Sequence, residues 1–200
     1  LRARHPGLIL ADWADLGHAG FPARYRQLQN AAAAEAVEAG DDPRAPVEAR
    51  FAFARFLVGS GLAYEAIGVL NAVVAQAPNM AGEPELRGLR GAARASIGRF
   101  EEAQGDFASA AVAGDPAGAV WRGSMATTGG DQVGARQASA AGAKAVDLFP
   151  QTWRARFGAA HALSALETGD LDSARTLLSY AFSQDAPAAD QLTARLVQAR

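Results

Sequence analysis

Residues 84–116 read PELRGLRGAARASIG-RFEEAQGDFASAAVAG-DP, and this stretch decides the fold. Pro84 suits the first turn of a helix, where the missing N–H of proline is not needed. Gly98 can end that helix in a left-handed conformation, and the acidic pair that begins at Glu101 favours the start of a second helix. Asp115, followed by another proline, repeats the opening signal as an N-cap. The stretch therefore predicts one helical hairpin.

The same markers recur along the chain with a period of about 36 residues, which is typical of stacked helical units. Prolines that suit the start of a first helix are Pro46, Pro84, Pro116, Pro150 and Pro187. Glycines that suit the joint between two helices are Gly61, Gly98, Gly130 and Gly169. Each joint glycine is followed five residues later by an alanine, namely Ala66, Ala103, Ala135 and Ala174. Three markers that keep one period predict an array of hairpins.

These markers divide the chain into three parts. Residues 1–20 are expected to be extended or irregular, 21–45 to form a leading helix and loop, and 46–200 to form the array. The predicted hairpins cover about 46–78, 84–114, 116–148 and 150–185, with a truncated helix over 187–199. The predicted helices are 46–59 and 62–77, 84–97 and 100–113, 116–128 and 131–147, and 150–167 and 171–184. Strand signals are nearly absent, so the predicted fold class is all-α.

The composition narrows the classes of function. The chain has 200 residues, half of them apolar, and its net charge is −2 with a single lysine, which offers no broad track for nucleic-acid phosphates. The absence of cysteine excludes disulfides, thiolate metal sites and a cysteine nucleophile. No apolar run approaches the ~20 residues of a membrane span. We expect no cofactor, and both a cytoplasmic and a bacterial-envelope location stay open.

The repeats resemble the tetratricopeptide repeat, a helix–turn–helix unit of about 34 residues. The spacing is carried by Gly61, Ala66, Ile67, Leu70, Val73 and Pro78, and again by Gly98, Ala103, Phe107 and Ala110. The composition, which is rich in arginine, glycine and alanine, also resembles that of long alphaproteobacterial tetratricopeptide proteins without an assigned activity. The resemblance implies a right-handed superhelix that binds proteins in a concave groove, and it places Phe51, Arg55 and Val120 on groove-facing positions.

The helix over 84–97 departs from the family's register. In that register Arg87, Arg90 and Arg94 occupy positions that large apolar residues usually hold. A shift by one residue instead places Leu86 and Leu89 in the core, and it avoids burying several guanidinium groups, which costs several kcal/mol each without partners. We therefore expect Leu86 and Leu89 inside, with Arg87 and Arg94 substantially exposed.

The same shift also places Ala93, Trp121 and Met125 in the core. Arg90 and Arg122 are expected to border the groove and to contact acidic residues of neighbouring repeats. The small residues Gly88, Gly91 and Ala95 share another side of that helix, where close helix packing is the favoured interpretation.

Arginines at similar places in the first helices suggest a ladder that captures an acidic or extended peptide, because guanidinium groups bind carboxylates in a bidentate manner. The alternative is pairing with nearby carboxylates of the chain, such as Glu101, Glu102 and Asp106. Aromatic residues at helical spacing are expected in the core. The candidate partner-binding residues are Phe51, Arg55, Arg87, Arg90, Arg94, Val120, Arg122 and Arg156.

Catalytic motifs are lacking. His161 has neither a second histidine nor a carboxylate at metal-binding spacing, so a packed or half-exposed helix histidine is the simpler interpretation. Asp170 and Asp172 resemble a carboxylate pair but are better explained as a helix cap with a partner for the helix dipole. The favoured function is a protein-binding scaffold, the alternative is a structural spacer in a larger assembly, and an enzyme is the least favoured.

Separate predictions concern the apolar residues near the two ends of the sequence. The run Leu8-Ile9-Leu10 and Trp13 is expected to dock on the array, since four large apolar residues within six positions favour burial. It either caps the first hairpin or lies in the groove as an internal ligand, and the alternative is packing on an upstream domain. Leu192, Leu196 and Val197 are expected to be exposed, which leaves self-association open. Because the sequence begins at Leu1 without a signal peptide, we expect it to be part of a longer protein.

Overall fold

The computed structural model describes residues 8, 10, 13 and 20–200, and within them the chain is all-α. Helices make up 74% of the structure and the described residues contain no strand, which confirms the predicted fold class. The helices are α1 Phe21–Ala39, α2 Glu48–Gly59, α3 Ala63–Gln76, α4 Pro84–Ser96, α5 Phe100–Phe107, α6 Pro116–Gly129, α7 Gln132–Gly142, α8 Gln151–Glu167, α9 Leu171–Ser183 and α10 Leu192–Gln198. Two short 3₁₀ turns occupy Pro78–Gly82 and Val146–Leu148. In the described part of the chain, no helix has both the length and the apolar character to cross a membrane.

The chain divides into two compact units, Leu1–Ala113 and Gly114–Arg200. In the first unit α2 packs on α1 and α3, and α4 packs on α3 and α5. In the second unit α6 pairs with α7, α8 pairs with α9, and α10 packs on α8. The helix pairs α2–α3, α4–α5, α6–α7 and α8–α9 are those that the glycine markers predict.

All four hairpins have the same joint. The joint glycines adopt left-handed backbone angles, with φ of +77° at Gly61, +80° at Gly98, +86° at Gly130 and +79° at Gly169. Each glycine donates its N–H to the carbonyl three residues earlier, and the following residue donates to the carbonyl five residues earlier, at 2.8 to 3.2 Å. This pair of hydrogen bonds is the Schellman motif, which satisfies the last carbonyls of a helix. The joints confirm the role predicted for these glycines.

The alanine five residues after each glycine is buried, with 0% exposure at Ala66, Ala103 and Ala135 and 4% at Ala174. Its small side chain lets the second helix lie close to the first. Side chains cap α6, α7 and α9: the carboxylates of Asp115, Asp131 and Asp170 accept from the N–H of Ala117, Gly134 and Ser173. The predicted caps after Gly130 and Gly169 are therefore confirmed.

Several helix bounds differ from the prediction. Helix α5 ends at Phe107 rather than 113, because the following turn carries Val112 into the core. Helix α7 ends at Gly142 rather than 147, and the turns after it bury Ala145. Helix α10 begins at Leu192 rather than 187, because turn hydrogen bonds to the Pro187 carbonyl occupy the intervening residues.

The start of α2 depends on a contact from α1. Pro46 lies before the helix rather than in its first turn. The Glu35 carboxylate accepts from the backbone N–H of Ala49 at 2.8 Å and of Arg50 at 3.2 Å, and its Oε1 lies 2.9 Å from Nε of Arg50. A side chain of the leading helix thus satisfies the free N–H groups at the start of α2.

The described residues of the N-terminal segment are docked. Leu8, Leu10 and Trp13 are 1%, 6% and 0% exposed, and the backbone of Trp13 lies against Gly59 at the end of α2. This confirms that Trp13 docks on the first hairpin. Leu8 and Leu10 are buried, as docking requires, and Ile9 lies outside the described residues.

Aromatic residues fill the cores of both units, as predicted. In the second unit Trp121 lies 5.0 Å from Phe157 and 4.9 Å from Trp153 between ring centroids. Met125, expected inside, is only half-buried. At the C-terminal helix Leu192 and Leu196 are exposed as expected, but Val197 is 4% exposed, so that part of the prediction is wrong.

Candidate functional site

In the first unit, one buried carboxylate accepts hydrogen bonds from three guanidinium groups. Asp106 of α5 has a fully buried side chain and accepts from Arg87 at 3.0 Å, from Arg90 at 2.9 Å and from Arg94 at 2.6 Å. We call these four residues the arginine cluster. Arg94 also pairs with the half-exposed Glu102 at 3.2 Å. The cluster itself holds three positive charges against one negative charge.

The cluster corrects the expected positions of the arginines. The shift of register is right for the core, because Leu86, Leu89 and Ala93 are all fully buried. The expectation of substantial exposure is wrong, since the side chains of Arg87 and Arg94 are 30% and 16% exposed. Their spacing places both on the side of α4 that faces Asp106. The negative charge of Asp106 offsets the free-energy cost of partly burying the two guanidinium groups.

Arg90 also differs from the expectation. It is buried and pairs with Asp106 of its own hairpin, rather than with a neighbouring repeat. The small residues on α4 explain how α5 comes so close: a Cβ on Gly91 would lie 3.0 Å from the Phe107 ring. This side of α4 is therefore a helix-packing surface, in agreement with the interpretation favoured from the sequence.

The three candidates at positions that face the groove in tetratricopeptide repeats are buried here. Phe51 and Arg55 are each 3% exposed, and Val120 is 4% exposed. Arg55 donates to Glu85 at 2.5 Å and to Glu48 at 2.8 Å. Burial acts to lower the pKa of Arg55, but these hydrogen bonds outweigh it and raise the pKa above its ordinary value. These side chains contribute packing and pairing within their own units.

The two remaining candidates lie in the second unit. Arg122 is half-buried, and burial lowers its pKa while the charge of Asp115 opposes that effect. Arg156 is exposed, donates to Asp190 at 2.7 Å, and lies 4.6 Å from the Trp153 ring centroid. The arginine cluster belongs to the first unit, so neither unit holds all eight candidates.

The second unit contains a cavity that the sequence did not indicate. It has a volume of about 210 Å³ and lies between α6, α7, the 3₁₀ turn Val146–Leu148, α8 and α9. Its apolar lining includes Val120, Phe157 and Leu177. Its polar lining consists of Ser124, Ser139, Asp147, His161 and Tyr180. We call it the unit-two cavity.

A second, more open hollow shares His161 and Leu177 with this cavity, and we call it the outer hollow. Arg136 of α7 lines the outer hollow, where its NH2 group binds Asp170 and its NH1 group lies 3.5 Å from Nε2 of His161. Burial lowers the pKa of His161, the charge of Arg136 lowers it further, and Asp170 opposes both. A neutral, half-buried imidazole thus lies beside a guanidinium group.

Tyr180 and Asp147 form a further part of the polar lining of the unit-two cavity. The Tyr180 hydroxyl donates to the Asp147 carboxylate at 2.7 Å. Burial and this hydrogen bond raise the pKa of Tyr180 well above its ordinary value. Tyr180 lies 33 residues after Asp147 and 44 residues after Arg136, which explains why spacing alone gave no signal.

Among residues 8, 10, 13 and 20–200, no group of three or more histidine, cysteine or acidic side chains is arranged to hold a metal ion. Comparisons of the chain with protein-family models, with curated proteins and with solved structures find no match.

Proposed function

We propose that the chain is a tetratricopeptide-like array of four hairpins in a right-handed superhelix, and that it acts as a protein-binding scaffold. The observation that supports this proposal is the joint, which recurs four times with the same left-handed glycine, the same two hydrogen bonds and the same buried alanine. Hairpins that repeat in this way bury their apolar faces against their neighbours and leave extended surfaces for partners.

The partner that we propose is an acidic, extended peptide bound along the arginine side of α4. Arg87 and Arg94 keep part of their side chains exposed while they share Asp106. The cluster carries a surplus of positive charge, and guanidinium groups bind carboxylates with charge-assisted hydrogen bonds. Because Arg90 is buried against Asp106, it positions the carboxylate while the two outer arginines contact the partner.

Titration of fluorescent peptides tests this proposal. A Glu-rich extended peptide is compared with the same peptide in which every Glu is Gln, at low and at physiological salt. We expect the acidic peptide to bind more tightly and to lose affinity with salt. The double change Arg87→Gln and Arg94→Gln should weaken it by about tenfold or more.

The change Arg175→Gln is the matched control, because Arg175 is 76% exposed in the second unit and pairs only with Asp172 among the ion pairs described. Equal binding of the acidic and neutral peptides, or equal loss in the control and the double variant, would contradict an acidic partner at α4.

The proposed superhelix has its own test. A compact chain of 200 residues has a radius of gyration of about 16.5 Å, whereas an array of hairpins is longer. Small-angle X-ray scattering of the monomer should give a clearly larger radius. A value at the compact limit would contradict the array.

A structural spacer within a larger assembly is the second candidate. It is favoured by the exposed apolar pair Leu192 and Leu196 on α10, which are 57% and 60% exposed. Exposed apolar residues on one helix suit contact with another protein or with a second copy. Analytical ultracentrifugation of the wild type and of a Leu192→Gln, Leu196→Gln variant distinguishes the two: self-association that the variant abolishes supports the spacer.

A further inference from the structure

We propose that the unit-two cavity binds a small carboxylic acid, with the apolar body of the ligand inside the cavity and its carboxylate at Arg136 and His161. The volume of about 210 Å³ is sufficient for one ring with a short chain, because an apolar protein cavity of about 150 Å³ binds benzene. The site lies wholly in the second unit, so it is independent of the arginine cluster.

The body of the cavity suits an apolar group. Val120 and Phe157 are almost fully buried and form part of its wall, and the half-buried Leu177 of α9 contributes to its lining. Gly158 leaves room for the Tyr180 ring to approach α8, since a Cβ there would lie 3.1 Å from Cδ1 of that ring. Small-molecule sites commonly combine such apolar walls with a few convergent polar groups.

The polar groups at the mouth suit an anion. His161 and Leu177 line both the unit-two cavity and the outer hollow, so Arg136 lies where the two adjoin. Its NH1 group is 3.5 Å from the imidazole, at the limit of a hydrogen bond, while NH2 is held by Asp170. A carboxylate at this position gains a stronger, charge-assisted hydrogen bond from NH1.

The carboxylates around the site are engaged elsewhere. Asp170 caps α9 through Ser173 and binds Arg136, and Asp172 in the outer hollow pairs with Arg175. Asp147 accepts from Tyr180 in the lining of the cavity. The negative charge of Asp147 repels a second carboxylate there.

The residues that line the two spaces fix the resulting orientation. Arg136 lines the outer hollow, Phe157 and Tyr180 line the unit-two cavity, and His161 lines both. The ligand carboxylate therefore lies at the Arg136 end, and the apolar body extends towards Phe157 and Tyr180.

Calorimetric titration of the whole chain with 3-phenylpropanoate tests the site, with 3-phenylpropanamide as the uncharged control. The acid should bind, and the amide should bind about tenfold more weakly or worse because it lacks the charge. Arg136→Gln should remove this preference for the acid. Ala143→Leu, at an exposed residue on the cavity edge, should weaken both ligands by narrowing the cavity. Arg200→Gln, at a side chain that is 62% exposed and pairs with Glu167 outside both spaces, should change neither.

Nuclear magnetic resonance can follow the pKa of the His161 imidazole. Adding the acid would leave this pKa unchanged if Arg136 and His161 had only a structural role. The charged groups that act on this ring are Arg136 from α7 and Asp170 from the cap of α9. Asp147, Asp172 and Tyr180 line the same two spaces. Bound acid adds a negative charge beside the ring, so the pKa of His161 should rise on binding, and the amide should leave it unchanged.

A short peptide that ends in Phe, with a free or an amidated C-terminus, separates two sources of the same chemistry. Selective binding of the free C-terminus supports the site and identifies a chain terminus as its ligand, whereas binding of the small acid alone identifies a metabolite-sized ligand. The proposal is overturned if neither acid binds, if the amide binds as well as the acid, or if Arg136→Gln leaves the preference for the acid intact.

Discussion

The backbone carbonyl of Trp13 occupies the space that a side chain on Gly59 would need. Gly59 is the last residue of α2, and Trp13 is fully buried against the first unit. The contact therefore makes one glycine a condition for docking of the N-terminal segment.

Gly59→Ala should therefore destabilise the first unit, by about 1–3 kcal/mol if the segment stays docked and is overpacked. The control is Gly68→Ala in α3, where a Cβ meets nothing within 4 Å and alanine should stabilise the helix by up to about 1 kcal/mol. Urea unfolding of both variants measures the difference. Two variants that are equally stabilised would show that the segment does not dock at Gly59.

Substitutions at two adjacent glycines test the left-handed conformation of the joints. Gly130 has φ of +86°, whereas Gly129 is the last residue of α6, and a Cβ on either meets nothing within 4 Å. Gly130→Ala should cost about 1–2 kcal/mol through backbone strain alone, with Gly130→Asn less costly. Gly129→Ala should be neutral or stabilising by up to about 1 kcal/mol. Thermal unfolding that ranks these variants in another order would contradict the left-handed joint.

The arginine cluster predicts an unusually costly substitution. Asp106→Asn should destabilise the chain by about 3–5 kcal/mol, because it leaves three guanidinium groups without their buried counter-charge. Asp172→Asn should cost at most about 0.3–1 kcal/mol, because the Asp172 side chain is 98% exposed and only its charge at the start of α9 is lost. Chemical unfolding measures both. A small loss at Asp106 would mean that water or Glu102 compensates the arginines.

Local conformation explains why much of the fold was predictable. A left-handed glycine, a capping aspartate and a buried alanine act within a few residues, so spacing alone located all four joints. The ends of helices were less predictable because they depend on distant contacts. The start of α2 needs Glu35, fourteen residues away from Ala49, and the early end of α5 follows from the burial of Val112.

His161 predicts a pH-dependent stability. Burial and then the charge of Arg136 lower its pKa, so the unfolded chain binds a proton at this position more readily than the folded chain. The stability contributed by neutral His161 is complete above the unfolded pKa of about 6.5 and is lost as the pH falls through the lower, folded pKa. Between about pH 7.5 and 5, the wild type should lose more stability than His161→Gln, as measured by thermal unfolding. Parallel curves would show that the folded and unfolded pKa values are alike.

The candidate sites were less predictable than the joints. Spacing placed Arg87, Arg90 and Arg94 on one face of a helix, and Asp106 was only one of several carboxylates that sequence separation allowed as partners. The unit-two cavity is a gap between side chains that lie up to 60 residues apart, from Val120 to Tyr180. Such a gap depends on side-chain volumes across four helices, and no local pattern encodes it.

The chain's only lysine, Lys144, is exposed in the turn after α7, immediately beside Ala143 on the edge of the unit-two cavity. Amine-reactive dyes can therefore reach only one side chain without a mutation, and the α-amino group, whose pKa of about 8 is lower, can be blocked first near neutral pH. A dye that senses polarity at Lys144 would report the filling of the cavity through its emission colour. Because the chain has no cysteine, a thiol introduced elsewhere would accept a second dye independently, and energy transfer between the two would follow motion within the second unit in single molecules.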